Sequence, residues 1–520
     1  MIKSNSKKLA VSFLSTALFG FATLSSADDV KKIWPFSGQN LSNTHADAKS
    51  KITSENVSKL QMKWAYDTKG DVSATPTSDG ENVYIVDWSG WIHAVDAQTG
   101  IAKWSENLGT VTGLTGTILS RTSPAIVDDK LVLGLQGTTA TVIALDKNDG
   151  HLLWKKTVDT HIASLITQSP IVYDGKVYIG VSSNEEALAA FVPDYVCCSF
   201  KGSMLALDLK SGKILWQTFV VPDGYSGGAI WGSTAALDPK RKALYLTTGN
   251  NYTIPESATK CVAAAPDEKA AMACIDPKNY IDSILSLNMD TGKVNWSYAS
   301  VITDTWTVAC LFDMPTCPEG AGPDADFGQG PSLYTVKVNG KQTDMIGAGQ
   351  KSGIYWALDR DTGKLIWKTQ VGPGGTSGGL QWGSAVSDGV IYTALSNSEK
   401  TPFALPDSTM SSGGGFAALD GATGKKIWQI EDPVNGNKLV FAPVTVVNDV
   451  MFGCSMDATG PMYAINAKTG KILWTYNAGS SCNAGASIID DTVYWGSGYT
   501  NYGFGVGGTN KVFAFTIPKK

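Results

Sequence analysis

Two aspartates, Asp324 and Asp326, lie one residue apart in the segment 322–331, which otherwise contains Gly, Pro, Ala, Phe and Gln. The segment has no basic side chain, so neither carboxylate has a neighbouring counter-ion in the sequence. Such carboxylates can accept a proton or bind a cation. Asp and Gly are also the common residues of tight turns, and taken alone the segment favours a turn.

Further oxygen-bearing side chains follow predicted strands elsewhere in the chain. Glu185 and Glu186 are adjacent, as are Asn250 and Asn251. Carboxylate and amide oxygens suit a hard cation such as Ca²⁺. Each residue could instead be a solvated loop group or a turn cap. The metal hypothesis gains weight if these strand ends meet at one end of a fold.

Several other kinds of chemistry have little support in the composition. Only four His are present, which argues against a multi-His metal site and a Ser-His-Asp triad. There is no Walker loop and no Rossmann fingerprint between a strand and a helix. The formal net charge of −5 argues against a nucleic-acid partner, since that role requires a basic face.

One phrase recurs along the chain: an apolar strand ending in Asp or Asn, a turn ending in Gly, and a Trp four residues after that Gly. The seven copies are Gly100/Trp104, Gly150/Trp154, Gly212/Trp216, Gly292/Trp296, Gly363/Trp367, Gly424/Trp428 and Gly470/Trp474. The phrase predicts a β-hairpin, because β-branched and aromatic residues flank a turn in which Gly can adopt a positive φ. A second two-strand pattern precedes most copies, so each repeat predicts four strands.

Four-stranded units whose turn glycines are 46 to 80 residues apart predict a β-propeller, in which each blade packs against the next. We predict an all-β fold of eight blades, with the recurring Trp between neighbouring blades. The eighth blade would combine Cys482–Tyr499 and Lys511–Ile517 with an N-terminal strand at Leu60–Trp64. This arrangement closes the ring and leaves no open sheet edge. Residues 28–520 then form one propeller domain.

Residues 1–27 have the pattern of a cleaved secretory signal, with a basic start, an apolar run and small residues at the end. A membrane anchor is the alternative, but the apolar run is short and contains Ser and Thr. The eight Cys suit an oxidising compartment. We therefore expect an acidic periplasmic or secreted protein without a membrane anchor.

The cysteines suggest four pairs, although connectivity does not follow from sequence alone. Cys197 and Cys198 are adjacent, and the other plausible pairs are Cys261 with Cys274, Cys310 with Cys317, and Cys454 with Cys482. No CxxC or CxxCH spacing occurs, which argues against a zinc ribbon and covalently attached haem.

The repeats, together with several short motifs, resemble the quinoprotein alcohol dehydrogenases that bind pyrroloquinoline quinone (PQQ). The motifs are Trp231-Gly232, Thr248-Gly-Asn250, Asp326-Phe-Gly328 and Gln350-Lys-Ser-Gly353. Within that family the chain is most similar to the polyvinyl-alcohol dehydrogenase branch, through Ser120–Pro124, Thr167–Pro170 and Gly249–Tyr252. The resemblance extends over nearly all of residues 28–520. It implies an eight-bladed quinoprotein propeller.

The resemblance also implies roles for individual residues. Glu185, Asn250 and Asp326 would be ligands of a Ca²⁺ ion, and Asp326 would also be the general base that takes the alcohol proton. Trp231 would form the flat floor beneath the cofactor ring. The residues implied to hold the cofactor's polar groups are Arg121, Lys351 and Asn397, with Thr167 and Ser182 as weaker candidates.

Two features depart from the family pattern. In methanol dehydrogenase relatives a vicinal disulfide lies shortly before the cofactor arginine, whereas here Cys197-Cys198 follows Glu185. The pair could cover the cofactor or could instead fix a turn in a substrate loop. Lanthanide-using relatives carry an extra Asp two residues after the catalytic one, so Gly328 favours Ca²⁺, although Asp324 leaves room for a lanthanide.

These implications describe an exported, PQQ- and Ca²⁺-dependent alcohol dehydrogenase. It would oxidise primary or secondary alcohols, polymeric ones included, and pass electrons to an external cytochrome c, since the sequence has no haem motif of its own. The inserts 251–279 and 300–330 would cover the pocket. The alternatives are a non-catalytic propeller scaffold of the cell envelope and a propeller that binds sugars or polymers without turnover. The substrate and the oligomeric state stay open.

Overall fold

Every copy of the repeated phrase forms two antiparallel strands of a β-sheet in the computed structural model, which describes Met1 and residues 32–518 apart from Ala48, Asn435 and Lys438. The predicted signal segment, residues 1–27, lies outside the described residues except for Met1. Residues 32–520 form one compact unit. In the part of the chain that the structure describes, no helix has both the length and the apolar character needed to cross a membrane.

Eight sheets follow one another around a ring, which confirms the predicted eight-bladed propeller. The strands of blades 1 and 2 are Thr77–Ser78, Asn82–Val86, Trp91–Asp96 and Ala102–Asn107, then Ala125–Val127, Lys130–Leu135, Thr141–Asp146 and Leu152–Thr157. The strands of blades 3 and 4 are Ser164–Leu165, Ile171–Tyr173, Lys176–Ser183, Ser203–Asp208 and Ile214–Phe219, then Ala236–Asp238, Ala243–Thr247, Ser283–Asn288 and Val294–Ala299. Blade 3 carries one strand more than the other blades because two short strands pair with Lys176–Ser183.

The remaining blades have four strands each. The strands of blades 5 and 6 are Ser332–Val338, Lys341–Gly349, Ile354–Asp359 and Leu365–Gln370, then Ala385–Ser387, Val390–Leu395, Gly415–Asp420 and Lys426–Glu431. The strands of blades 7 and 8 are Thr445–Val447, Val450–Cys454, Pro461–Asn466 and Ile472–Asn477, then Ser487–Ile489, Thr492–Gly496, Lys511–Thr516 and Gln61–Asp67. Two small ribbons pair Ser226–Gly227 with Asn251–Thr253 and Phe403–Ala404 with Met410–Ser411.

Blade 8 closes the ring with strands from both ends of the chain. Gln61–Asp67 runs antiparallel to Lys511–Thr516, with Gln61 opposite Thr516 and Asp67 opposite Lys511. The prediction that an N-terminal strand at Leu60–Trp64 closes the ring is therefore confirmed, and the observed strand extends three residues further, to Asp67. Each blade consequently has a neighbour on both sides, as the prediction required.

The recurring Trp joins each blade to the next. Trp104 of blade 1 donates its indole N–H to the carbonyl of Lys147 in blade 2, and Gly150 of that turn lies on the indole face. A Cβ at Gly150 would lie 2.8 Å from ring carbon atoms, and its φ of +80° also favours glycine. Trp64, in the closing strand, makes the same contacts with blade 1, so it is the eighth member of the set.

In the described region most helices lie in connections between strands, and one short 3₁₀ helix precedes the first strand of the chain. They are α1 (Leu108–Thr112), α2 (Glu185–Phe191), α3 (Glu256–Ala264), α4 (Glu268–Ala273) and the 3₁₀ helices Val57–Lys59, Val308–Phe312 and Asn501–Gly503. The disulfides are Cys197–Cys198, Cys261–Cys274 between α3 and α4, Cys310–Cys317 beside a 3₁₀ helix, and Cys454–Cys482. The three pairs suggested by sequence order are thus the ones that the structure joins.

Candidate active site

A cavity of about 510 Å³ collects side chains from the connections between blades and from loops within blades. The residues that these segments contribute include Arg121, Thr167, Trp231, Asp326, Trp382, Phe441 and Tyr499. Its volume lies within the range of roughly 300–1,000 Å³ that is usual for small-molecule sites. The predicted cover is partly present, since Tyr252 of the first insert and Val308, Leu311 and Phe312 of the second line the cavity.

Asp326 lies in the cavity wall with its carboxylate held by three donors. Its Oδ1 accepts the backbone N–H of Asn250 at 2.6 Å, and its Oδ2 accepts Trp231 Nε1 at 2.9 Å and Lys351 Nζ at 3.2 Å. Gly249 packs against the same carboxylate, where a Cβ would lie 2.8 Å from Oδ1. The segment 322–331 therefore supplies more than a turn, because other blades fix the position of its second aspartate.

The backbone around Asp326 is fixed by a buried carboxylate near the start of the same insert, residues 300–330. Asp304 accepts the N–H of Asp324 at 3.1 Å and that of Ala325 at 2.5 Å. The N–H of Lys351 donates to the carbonyl of Asp326 at 2.9 Å, and Phe327 is fully buried. These contacts anchor the segment on both sides of the aspartate, so its side chain has a defined direction.

Lys351 bridges the two aspartates of this segment. Its Nζ lies 2.8 Å from Asp324 Oδ1 and 3.2 Å from Asp326 Oδ2. Burial alone would lower the pKa of Lys351, but the carboxylates of Asp324, Asp326 and Glu186 outweigh it and hold that pKa above its ordinary value. The ammonium is therefore charged at neutral pH. Burial raises the pKa of Asp324 well above its usual range, and Lys351 opposes that shift.

Trp231 presents a half-buried indole to the cavity, consistent with a floor on which a flat ring could stack. The hydrogen bond to Asp326 fixes one edge of the indole, and Trp382 packs edge-to-face at 5.1 Å between ring centroids. Gly328 lies against another edge, where a Cβ would approach Cη2 to 2.7 Å. The indole is thus held in one orientation, and residue 328 has no room for a side chain unless neighbouring atoms shift.

Glu186, rather than Glu185, lines the cavity, so the position of Glu185 does not support the ligand role that the resemblance implied for it. Glu185 is fully buried, and its carboxylate accepts the N–H groups of Ser199 and Phe200, both at 2.8 Å, and the hydroxyl of Tyr195 at 2.9 Å. Those bonds turn Glu185 toward the loop after α2. Glu186 is half-buried in the cavity lining. Burial raises the pKa of Glu186 to about 7, while Lys351 lowers it and Asp326 raises it further.

Asn250 lines the cavity with its amide held in one orientation. Its Nδ2 donates to the carbonyls of Asn251 and Trp306, at 2.8 and 2.9 Å. The amide oxygen consequently points away from these carbonyls. This geometry would suit an oxygen ligand, because the amide cannot rotate without losing both hydrogen bonds.

The residues expected to hold cofactor polar groups divide into two sets. Arg121, Thr167, Ser182 and Lys351 line the cavity. The guanidinium of Arg121 lies over Trp382, 4.5 Å from the ring centroid, so its side chain is fixed by stacking. Asn397 does not line the cavity.

The expected role of Asn397 is therefore not supported by its position. Its Nδ2 donates to the carbonyl of Thr401, and its Oδ1 accepts the N–H of the same residue. The side chain is used to close its own loop and is fully buried. Thr376, Ser377 and Gln381 supply polar groups to the cavity from the preceding connection.

Trp382 is a cavity residue that the sequence reasoning missed although a signal was present. Residues Gly378-Gly-Leu-Gln-Trp-Gly-Ser384 repeat the pattern of Gly227-Gly-Ala-Ile-Trp-Gly-Ser233, which contains Trp231. Both tryptophans lie between blades and contact each other. A comparison of the connections with one another, rather than of the blades, would have found the second tryptophan.

The vicinal Cys197–Cys198 pair is not part of the cavity lining. It lies in the loop whose amides at Ser199 and Phe200 bind Glu185. Of the two expectations left open, its position is compatible with fixing a turn and gives no support to a cover over the cofactor.

The donor set of the cavity fits a hard cation beside a flat, polar ring. Three carboxylates, from Glu186, Asp324 and Asp326, face the single ammonium of Lys351, and Asp324 Oδ2 is buried with no hydrogen-bond partner among the described residues. Burial raises the pKa of Glu186, and the ammonium of Lys351 opposes that shift. Among the described residues, three ligand atoms of carboxylate, His or Cys side chains lie within 4.8 Å of one another only at residues 146, 149 and 151, in an exposed turn, so the cavity carboxylates do not form such a cluster.

Together the eight-bladed ring and this cavity define a propeller of the quinoprotein type. Residues 34–373 match the family described as "Glucose/ethanol/alcohol dehydrogenase, beta-propeller domain". The chain therefore belongs to this family, which confirms the resemblance recognised from the motifs. Residues 351–514 also match the family described as "Outer membrane protein assembly factor BamB".

The chain is alcohol dehydrogenase-like and polyvinyl-alcohol dehydrogenase-like in sequence. It is 29% identical to polyvinylalcohol dehydrogenase of Pseudomonas sp over 90% of this chain and 73% of that protein. It is 25% identical to the lanthanide-dependent methanol dehydrogenase of Methylacidiphilum fumariolicum, over 91% of this chain and 87% of that protein.

Solved structures share the fold. The quinohemoprotein alcohol dehydrogenase of Comamonas testosteroni superposes with a TM-score of 0.70 at 20% identity, covering 94% of this chain and 81% of that chain. BamB of Moraxella catarrhalis has a TM-score of 0.52 at 15% identity, covering 88% of this chain and 99% of that chain.

Proposed function

We propose that this protein is a PQQ- and Ca²⁺-dependent alcohol dehydrogenase in which Asp326 takes the proton of the alcohol hydroxyl. The observation that carries the proposal is the Asp326 carboxylate, held in a cavity wall by Asn250, Trp231 and Lys351. The family membership and the polyvinylalcohol dehydrogenase relatives support the same reaction class.

The cavity residues fit both groups that this reaction requires. Glu186, Asn250 and Asp326 would supply the oxygen ligands of Ca²⁺, and Trp231 would stack against the cofactor ring. Arg121, Lys351, Thr167 and Ser182 would hold the cofactor's polar groups. When bound, PQQ supplies the acceptor of the hydride and Ca²⁺ supplies a Lewis acid.

Asp326 is suited to act as the base because its position is fixed. Three donors, from Asn250, Trp231 and Lys351, orient the carboxylate. Positioning of this kind is a large part of the advantage that an enzyme has over free reactants. Lys351 and Trp231 would also hold Asp326 in place as its charge changes.

Ca²⁺ is preferred to a lanthanide in this proposal for a steric reason. An extra carboxylate two residues after Asp326 would stand at Gly328, where even a Cβ meets the indole of Trp231 at 2.7 Å. Asp324, on the other side, is paired with Lys351 through Oδ1. A lanthanide-dependent relative has a detectable sequence likeness, so a metal competition with Ca²⁺ and La³⁺ tests this preference directly.

We further propose that the protein is exported to the periplasm or secreted after removal of residues 1–27. Four disulfides among the described residues suit an oxidising compartment. Because the sequence contains no CxxCH motif, the electrons would pass to a separate cytochrome c. Electron transfer from the loaded enzyme to candidate cytochromes tests that acceptor.

The experiment that tests the function uses the purified full chain. PQQ and Ca²⁺ are added, the quinone absorption band is recorded, and dye reduction is followed with primary, secondary and polymeric alcohols. Asp326→Asn is expected to retain the absorption band and to lose about 10²- to 10⁴-fold in turnover. Asp149→Asn, at an exposed turn, is the matched control.

Two results would contradict the proposal. Turnover retained in Asp326→Asn would remove this residue as the base. Absence of both the absorption band and turnover in the unmodified protein would favour a binding scaffold, the function class suggested by the second family match.

A further inference from the structure

Five large apolar residues line the cavity, and all of them except the buried Phe441 are exposed to solvent: Phe191, Leu311, Phe312, Phe441 and Phe504. We call this group the apolar collar. Phe191, Leu311 and Phe312 have exposed fractions of 65%, 53% and 56%, and they lie together at one cavity. Exposed apolar side chains that adjoin one another mark a binding surface more often than isolated ones do.

The collar has two sides, each formed by an aromatic pair. Phe191, the last residue of α2, contacts Phe312 of the 3₁₀ helix Val308–Phe312 at 5.7 Å between ring centroids. On the other side, Phe441 contacts Phe504 edge-to-face, also at 5.7 Å. On the first side, Phe191 lies between two strands of blade 3 and Phe312 lies in the connection from blade 4 to blade 5. On the second side, Phe441 lies in the connection from blade 6 to blade 7 and Phe504 lies between two strands of blade 8.

One covalent restraint and one set of hydrogen bonds support the first side. The Cys310–Cys317 disulfide closes the turn that carries Phe312. Glu185, at the start of α2, binds the N–H groups of Ser199 and Phe200 in the loop that follows the helix. Because both supports are local to Phe191 and Phe312, these rings are held at the cavity although they are solvent-exposed.

The cavity therefore changes character from its inner to its outer part. Its charged lining residues are Arg121, Glu186, Asp324, Asp326 and Lys351, and the collar contains none of them. A ligand that matches both parts has a polar group at one end and an apolar chain at the other. Water-exposed aromatic rings gain most from covering hydrocarbon, since the gain grows with the apolar area removed from water.

We propose that the collar binds the hydrocarbon chain of the alcohol substrate and selects alcohols with an extended apolar chain over short ones. This inference rests on the proposed function, because it assigns the polar end of the ligand to the hydroxyl that reaches Asp326. A chain between the two aromatic pairs would also exclude water from the reacting carbon.

The test is a series of primary alcohols from ethanol to 1-octanol with the PQQ- and Ca²⁺-loaded enzyme and a small dye as acceptor. We expect kcat/KM to rise roughly two- to fourfold for each added methylene until the chain passes the collar. Phe312→Ala and Phe504→Ala should lower kcat/KM for 1-octanol about tenfold and change that for ethanol less than twofold. Phe219→Ala removes an exposed ring from a blade strand and is the matched control.

A binding measurement keeps the inference separate from turnover. Calorimetric titration of 1-octanol into the full chain carrying Asp326→Asn should show a negative heat-capacity change, the mark of apolar burial. Adding Phe312→Ala or Phe504→Ala should reduce that change and weaken binding, whereas adding Phe219→Ala should not. This binding measurement does not depend on catalytic turnover.

The outcomes distinguish this inference from the proposed function. If no alcohol is oxidised but 1-octanol binds at the collar, the proposed function fails and the apolar site stands. If ethanol is oxidised with no dependence on chain length and the collar variants behave like Phe219→Ala, the collar inference fails alone. If collar variants slow all alcohols equally, and only with a protein acceptor, the collar is the acceptor's docking site and the inference is overturned.

Discussion

Replacing the adjacent residues Glu185 and Glu186 by glutamine, one at a time, tests the assignment of the metal ligand. The two side chains differ by one position at the start of α2, yet only Glu186 lines the cavity. Glu185→Gln should therefore lower the stability of the protein and leave Ca²⁺ binding nearly unchanged. Glu186→Gln should weaken Ca²⁺ binding and leave the stability of the metal-free protein nearly unchanged.

The expected loss of stability in Glu185→Gln follows from the hydrogen bonds of the Glu185 carboxylate. The carboxylate accepts two backbone N–H groups at 2.8 Å and the hydroxyl of Tyr195 at 2.9 Å, all through fully buried oxygens. Glutamine retains one acceptor and turns an NH₂ group toward one of the buried donors. An unsatisfied buried donor costs about 1–3 kcal/mol, so the free energy of unfolding should fall by that amount.

Glu186→Gln removes a charge that the metal-free protein does not need. Burial penalises the ionised form of Glu186, which is the reason for its raised pKa of about 7. The metal-free variant should then be as stable as the unmodified protein, or slightly more so. Ca²⁺ affinity should fall at least about tenfold, because ligand charge is a main determinant of Ca²⁺ affinity.

Two measurements on each variant complete the experiment. Urea unfolding of the metal-free protein at pH 7.5 gives the change in stability, and calorimetric titration with Ca²⁺ in the presence of PQQ gives the change in affinity. A Glu185→Gln protein that unfolds normally but no longer binds Ca²⁺ would refute the reasoning. So would a Glu186→Gln protein with unchanged affinity.

Three further changes test the ring, the cavity floor and a buried histidine. Trp64→Ala should cost about 3–5 kcal/mol in urea unfolding, because the indole closes the ring over Gly100. Gly328→Ala should weaken PQQ binding, followed by the quinone absorption, because its Cβ displaces the indole of Trp231. Burial lowers the pKa of His45 to about 4, so stability should fall by up to about 3 kcal/mol as pH drops from 6.5 to 4. This pH-dependent loss should be smaller in His45→Asn, as measured by unfolding across that range.

The sign of the His45 effect follows from the proton count. Between pH 4 and 6.5 the unfolded chain binds a proton on this imidazole, whereas the folded protein keeps it neutral. Acid therefore favours the unfolded state in that interval. A pH profile of stability that is identical in His45→Asn would show that burial of this side chain does not shift its protonation.

The fold was predictable because its defining signal is repeated. The pattern of turn glycine and Trp encodes one local interaction, the contact of an indole with the next turn, and the structure repeats that contact around the ring. Even the closing strand could be predicted, since an incomplete blade at one end of the chain requires a strand from the other. Strand bounds were less certain, as the extension to Asp67 indicates.

The site was predictable only in part, because side-chain direction depends on local hydrogen bonds that sequence spacing does not contain. Glu185 and Glu186 have the same chemistry, and only the amides of Ser199 and Phe200 decide which one turns away from the cavity. In the same way, hydrogen bonds with the backbone of Thr401 hold the side chain of Asn397 within its own loop. Asp326 was easier to select from the sequence, since Asp324 and Asp326 are the charged residues in a segment that otherwise contains Gly, Pro, Ala, Phe and Gln.

The blades maintain the contacts that close the ring, whereas the connections contribute the cavity residues. This difference explains why the site residues do not follow the repeat. The Trp and the turn Gly of the repeat must be kept where they occur, because losing either disturbs the contact between neighbouring blades. The connections carry no such constraint, so they can contribute an aspartate, a tryptophan or an apolar insert to the same cavity. If this is correct, exchanging Phe312 should alter alcohol preference without a loss of stability, whereas exchanging Trp64 should lower stability whichever alcohol is used.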